Sequence, residues 1–241
     1  MRTMPRAARF VTWGNAWLAG ATSLDEADEG IRAGDAAHHV IGLPGQDEPT
    51  PIVLSLGALR TLGTKAFTLA LPVPGDPLGL AGPREFTESA LEAGEAVVCE
   101  GSGLGLVPLV VGAGVQWRVH QANPATPLAF TEASADLAHT LQDVIDQLAE
   151  LDVARWRPEV AEALVDLRRV GASGDGLPAG YSARAEQLAA RARRCLLLCQ
   201  LALDDDGGAT TVYEAESRRQ ALRSLEAAAR RALVAACAPP R

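Results

Sequence analysis

The sequence predicts an α+β chain: a mixed α/β domain over residues 1–128, followed by an antiparallel four-helix bundle over 129–241. Three observations predict it. Residues 1–128 hold 17 of the 23 glycines and 11 of the 15 prolines, so this part consists of short elements joined by many turns. Residues 129–241 carry long apolar stripes at spacings of three and four, as amphipathic helices do. Between them, residues 123–127 read as an extended linker, because Pro124 and Pro127 each push the preceding residue away from α geometry.

In the first part, apolar runs at 38–42, 66–72, 96–100, 106–111 and 115–121 predict strands. Residues 24–33, 52–62 and 84–93 have helical spacing, and Ser23 with Glu26 makes a capping box. The order αβαβαββ points to layers of helix and sheet and not to a β-sandwich. Its last two strands meet at Gly112, Ala113 and Gly114 as an antiparallel hairpin.

The second part reads as four helices. The first starts at an N-cap Thr131, carries Leu137, Leu141, Val144, Leu148 and Leu151 in one stripe, and stops by Arg157. Pro158 suits the first position of the next helix, which carries Val160, Leu164, Leu167 and Val170. A third runs over 182–203 with Leu188, Cys195, Leu198 and Leu201 inward. The fourth turns Leu222, Leu225, Ala229, Leu233 and Ala236 inward and sets Glu214 with Arg218 and Glu226 with Arg230 as outward pairs. Small alanine faces let such helices approach closely in an up-down-up-down bundle.

Composition narrows the function classes. With 48% hydrophobic and 22% charged residues, the chain is neither disordered nor collagen-like. The net charge of −8 divides as −5 over 1–128 and −3 over 129–241, so neither part is basic and nucleic acid is disfavoured as a partner. The arginines of the last two helices, such as Arg191, Arg194, Arg219 and Arg223, are matched by acids and read as a salt-bridged surface. Lys65 is the only lysine, which suits a high-GC coding sequence and says nothing about chemistry.

Four cysteines are too few for a disulfide framework. Cys195 and Cys199 share a helical face but lack further ligands at zinc spacing, so no metal and no cofactor is expected. Arg2, Arg6 and Arg9 before a mildly apolar stretch have the outline of a signal peptide, which Gly14 and Asn15 interrupt. The apolar run 104–115 is too short for a bilayer and holds Pro108. A cytoplasmic protein without membrane contact is expected.

The motifs are weak. Gly101, Ser102 and Gly103 follow a strand as a dinucleotide loop would, yet Leu106 and Pro108 stand where its third glycine and helix belong, so a glycine-rich turn is favoured. The stretch around Gly75, Asp76 and Gly79 ends a strand, where α/β sheets present ligand loops. Asp76 is there a candidate base or ligand-binding carboxylate, against the plainer reading that it closes a turn. His38 and His39 point to opposite faces of a strand, and with Asp35 nearby one of them is a candidate general base. Glu92, Glu95 and Glu100 surround another strand, and Trp13 and Trp17 lie four apart.

The stretches LALPVPGDPLGLAGP and DDDGGATTVYEAESRRQALRSLEAAARRAL resemble those of uncharacterised proteins from high-GC actinobacteria. The resemblance implies no activity. Function is therefore not assigned by the sequence. The leading expectation is a non-enzymatic protein-interaction or adaptor role, with a protein partner or as a homo-oligomer. The alternative is a small-molecule-binding domain or enzyme with its site near Gly75, Asp76 and Gly79, joined by Gly101, Ser102 and Gly103.

Overall fold

The computed structural model describes residues 4–78, 80–150, 176–203 and 212–240. They cluster into two compact units. One comprises Met4–Pro127 together with Leu177–Ser182 and Cys237–Arg241, and the other the described residues of Leu128–Gly176 and Ala183–Ala236.

The first unit is built on a mixed sheet. Its elements are α1 (Arg6–Leu18), α2 (Leu24–Arg32), β1 (His38–Ile41), β2 (Thr50–Pro51), α3 (Ile52–Thr61), β3 (Ala66–Ala70), α4 (Arg84–Ala93), β4 (Ala96–Glu100), β5 (Leu104–Val111) and β6 (Gly114–Gln121). The strand order is β2-β1-β6-β5-β4-β3. β1 runs parallel to β6, and every other pairing is antiparallel. The β5–β6 ladder closes at Val111 and Gly114 around a two-residue turn, and Gly112 at φ +59 supplies its left-handed first position.

Alternation along the strands sends large side chains to one face and small ones to the other. On the first face, Phe10 of α1 stands edge-on to Phe67 of β3 and Trp117 of β6, with ring centroids 5.2 Å and 4.9 Å away. On the second, Phe86 and Ala90 of α4 fill a cluster with Ala70, Ala96, Val98, Val107 and Ala122. α2 lies against α1 where Gly30 meets the Trp13 ring, and Arg60 of α3 sits 4.7 Å over the Trp17 ring. Helix, sheet and helix make three layers.

The expected helices at 24–33, 52–62 and 84–93 form, as does the Ser23–Glu26 capping box. Two corrections apply. The stretch with the outline of a signal peptide is α1, buried at Ala7, Ala8, Phe10, Val11 and Ala16. β5 begins at Leu104, so Gly105 is a strand residue; a Cβ there would come within 2.5 Å of the Phe86 ring.

The second unit contains α5 (Phe130–Glu150), α6 (Ala183–Leu203) and α7 (Val212–Ala236). α7 packs against both of the others. α5 buries Ala133, Leu137 and Val144, while α6 and α7 bury mainly alanines, with Leu188, Cys195, Cys199, Leu222, Leu225 and Leu233. Leu198 and Leu201, expected inward, are half-buried. The expected helix carrying Val160, Leu164, Leu167 and Val170 lies outside the described residues, as does the turn at Asp204, Asp205 and Asp206.

Candidate functional site

Ionisable side chains converge where α2 turns into β1. The Asp35 N–H donates to the Arg32 carbonyl at 2.9 Å, closing a tight turn over Ala33 and Gly34. Ala33 sits at φ +46, ψ −108, a conformation that favours glycine at the first central position of a type II′ turn. That strain costs about 1–3 kcal/mol and fixes where Asp35 points.

The Asp35 carboxylate is saturated. Arg6 donates to it twice, from Nε at 3.0 Å and Nη2 at 2.8 Å, and Arg9 Nη2 donates at 2.7 Å. His38 Nε2 completes the set at 3.1 Å. Trp117 Nε1–H donates to His38 Nδ1 at 3.2 Å, so the bond to Asp35 requires the neutral tautomer with its proton on Nε2. Burial pushes the Asp35 carboxyl up, but the hydrogen bonds from Arg6, His38 and Arg9 outweigh it and hold the group well below the usual carboxylate range. His38 is lowered, chiefly by burial, against the opposing pull of Asp35. Nearby, the Glu95 carboxylate accepts the Ala7 N–H at 2.7 Å and caps α1. Burial pushes Glu95 up, and the Ala7 bond only partly offsets it.

This constellation differs from the one expected. A general base needs a nitrogen free to take a proton, and both ring nitrogens of the fully buried His38 are engaged. What Asp35, Arg6, Arg9 and His38 do is tie α1 to the start of β1. Sequence signalled only the Asp35–His38 spacing, because Arg6 and Arg9 reach Asp35 from 29 and 26 residues away. His39 is half-buried, as the strand alternation requires.

The other candidates lie elsewhere. Val73 and Asp76 exchange backbone hydrogen bonds at 3.0 and 2.9 Å around Pro74 and Gly75, whose φ is +86, which makes a type II turn. Asp76 thus closes that turn through its backbone. Gly79 lies outside the described residues. Gly101, Ser102 and Gly103 form the β4–β5 turn, in which the Ser102 hydroxyl accepts from Thr64 Oγ1 at 2.9 Å. Gly101 is at φ +97, and a Cβ there would lie 2.6 Å from the Gly63 carbonyl oxygen. The β3–β4 register pairs Ala66 with Glu100 and Ala70 with Ala96, so the two turns leave opposite ends of β3, about 13 Å apart along the strand. They do not share one cleft.

Glu95 and Glu100 likewise sit at the two ends of β4, about 16 Å of strand apart, too far for paired acid–base work. Glu100 accepts from Thr68 Oγ1 and the Ala125 N–H. His120 Nδ1 is 3.7 Å from Glu85 with its ring on Phe86, and the exposed His139 pairs with Asp143. Among the described residues, no three His, Cys, Asp or Glu side chains converge as a metal ion requires. No described helix is long and apolar enough to cross a membrane.

Two family models cover nearly the whole chain: the N-terminal domain of Rv1486c-like proteins over residues 7–133, and their C-terminal domain over 131–234. The chain belongs to the Rv1486c-like family. An uncharacterized protein of Mycobacterium avium, MAV321, is 30% identical over 57% of this chain and 58% of its own length. The uncharacterized protein Rv1486c of Mycobacterium tuberculosis is 37% identical over 48% of this chain and 47% of its own. The chain thus spans about half the length of the curated relatives it matches. The resemblance to uncharacterised actinobacterial proteins holds, and the relatives' names assign no activity. No solved structure matches the chain.

Proposed function

We propose that this chain is a non-enzymatic protein-interaction module, acting in the cytoplasm with a protein partner or a second copy of itself. One observation carries the reading. At the tip of the β5–β6 hairpin, Leu109, Val110 and Val111 are 40%, 54% and 48% exposed in consecutive positions. Large aliphatic side chains held in water on both faces of a hairpin tip offer surface for association. The ionisable cluster around Asp35, by contrast, is consumed by structural bonds. Four buried cysteines without disulfides fit a reducing compartment. The helical unit, read as a four-helix bundle over 129–241, adds long faces for association.

Val110→Asp tests this reading. The tip carries little folding energy, so the melting temperature stays within about 1 °C of wild type. Self-association in sedimentation, or a partner identified by cross-linking, is expected to be lost. Wild-type chain that is monomeric, with no retention dependent on Val110, overturns the proposal.

A second reading, a small-molecule site on the loop of Gly75 and Asp76, has one observation in its favour. Leu78 is held buried at φ +37, a strained backbone of the kind that ligand loops store. Metabolite-induced shifts of the Asp76 and Leu78 amides would support it, and their absence across a broad library would end it.

A further inference from the structure

β3 is an edge strand with a neighbour only on its β4 side, and such an edge is a template for pairing with another chain. Its second residue, Phe67, is nevertheless paired on the open side. The Phe67 N–H donates to Asn15 Oδ1 at 2.8 Å, and Asn15 Nδ2 donates to the Phe67 carbonyl at 2.8 Å. A carboxamide carries the same donor and acceptor as a peptide group, so Asn15 supplies what a neighbouring strand would. Alternation along β3 turns the peptide groups of Leu69 to that same side, so within the strand the open edge consists of those of Phe67 and Leu69, and Asn15 occupies the first of the two.

The surroundings hold the carboxamide in place. Gly14 lets the Phe67 ring lie against the α1 backbone, where a Cβ would come within 2.7 Å of Cδ2. Tyr181 stands beside Asn15, and its hydroxyl donates to the Cys237 carbonyl at 3.2 Å. Glycine and asparagine are both poor helix formers, and together inside α1 they weaken it by about 1–2 kcal/mol. β3 accounts for both.

We propose that Asn15 is a gate that closes β3 against strand addition by a second copy of this chain. The occupant follows from symmetry. Two copies of β3 running antiparallel about a two-fold axis at Phe67 would exchange the N–H and C=O that Asn15 now holds, and such an isologous contact needs no other species. The proposal is independent of the hairpin-tip reading, because the two surfaces belong to different strands.

Amide exchange and light scattering on the full chain test it. In wild type, the Phe67 amide is expected to exchange as slowly as that of Val98 in the sheet interior. In Asn15→Leu, close in shape but without hydrogen bonds, Phe67 exchange rises about tenfold or more at low concentration. At higher concentration the mass doubles relative to wild type. Asn15→Asp, which keeps the acceptor for the Phe67 N–H and turns a carboxylate toward its carbonyl, gives the same change in mass. A folded variant with wild-type mass overturns the proposal, and so does a wild-type Phe67 amide that exchanges like an open edge. That wild-type exchange decides the matter if neither variant folds. Val110→Asp leaves the exchange rate of the Phe67 amide unchanged, which separates the gate from the hairpin tip.

Discussion

The two units fill their interiors in opposite ways. In the α/β unit, Trp117, Phe10, Phe67 and Phe86 are all fully buried, and aromatic rings fill the space between sheet and helices. In the helical unit the buried surface of α6 and α7 is mostly alanine, with Ala192, Ala229 and Ala232 completely enclosed. Few large rings leave a hole when one is lost. Many methyl groups leave no room when one grows. The same chain should therefore be sensitive to deletion in one unit and to insertion in the other.

The largest effect tests the first half of that contrast. Trp117→Ala empties the ring space beside Phe10 and strips His38 of its donor, and is expected to cost about 4 kcal/mol in urea unfolding. A loss below about 1 kcal/mol would show that the sheet face collapses to fill the gap.

Next comes the ion cluster of Asp35. Asp35→Asn leaves Arg6 and Arg9 without their carboxylate and is expected to cost about 3 kcal/mol. Its pH dependence has a definite sign. Asp35 is depressed in the folded chain, so the stability it lends is present above about pH 4 and fades as pH falls. His38 is depressed too, so protonation of the unfolded chain from about pH 6.5 downward erodes stability in the same direction. Glu95 is raised and opposes this, favouring the folded chain as pH falls. Removing that opposition in Glu95→Gln should steepen the loss of melting temperature between about pH 6.5 and 4. A shallower slope would contradict the assignment.

The second half of the contrast is tested by insertion. Ala229→Leu adds three carbons where no space exists and is expected to cost about 2 kcal/mol. An unchanged melt would mean the alanine faces of α6 and α7 are loose. The smallest effect is a gain. Ala33→Gly relieves the left-handed backbone before Asp35 and should stabilise the chain by about 1 kcal/mol, provided the arginine cluster stays intact.

Legibility in the sequence divided local partners from distant ones. Local signals carried the elements: the capping box at Ser23, the glycine turn of the hairpin and the stripes of α5 through α7 could be read because neighbours in sequence make them. α1 could not, since Gly14 and Asn15 interrupt it locally and find their reasons only in Phe67, more than fifty residues away. The candidate site failed for the same reason. Asp35 and His38 are three apart and legible together, whereas Arg6, Arg9 and Trp117, which use up their hydrogen bonds, come from two other elements. The turns of Gly75 and Gly101 were recognisable as turns, but only the β3–β4 register shows that they leave opposite ends of a strand.

The clasp of Tyr181 on Cys237 bears on how the chain is made. The α/β unit runs through β6 by Gln121, yet its compact body includes Leu177–Ser182 and Cys237–Arg241, where Gly180 sits against Ala21 and Pro240. A ribosome delivers Cys237 and the residues after it only when more than a hundred others have followed β6. During that interval the nascent sheet waits without its clasp. Any fusion, tag or nonsense mutation that removes residues 237–240 would therefore be felt first in the half of the protein synthesised earliest.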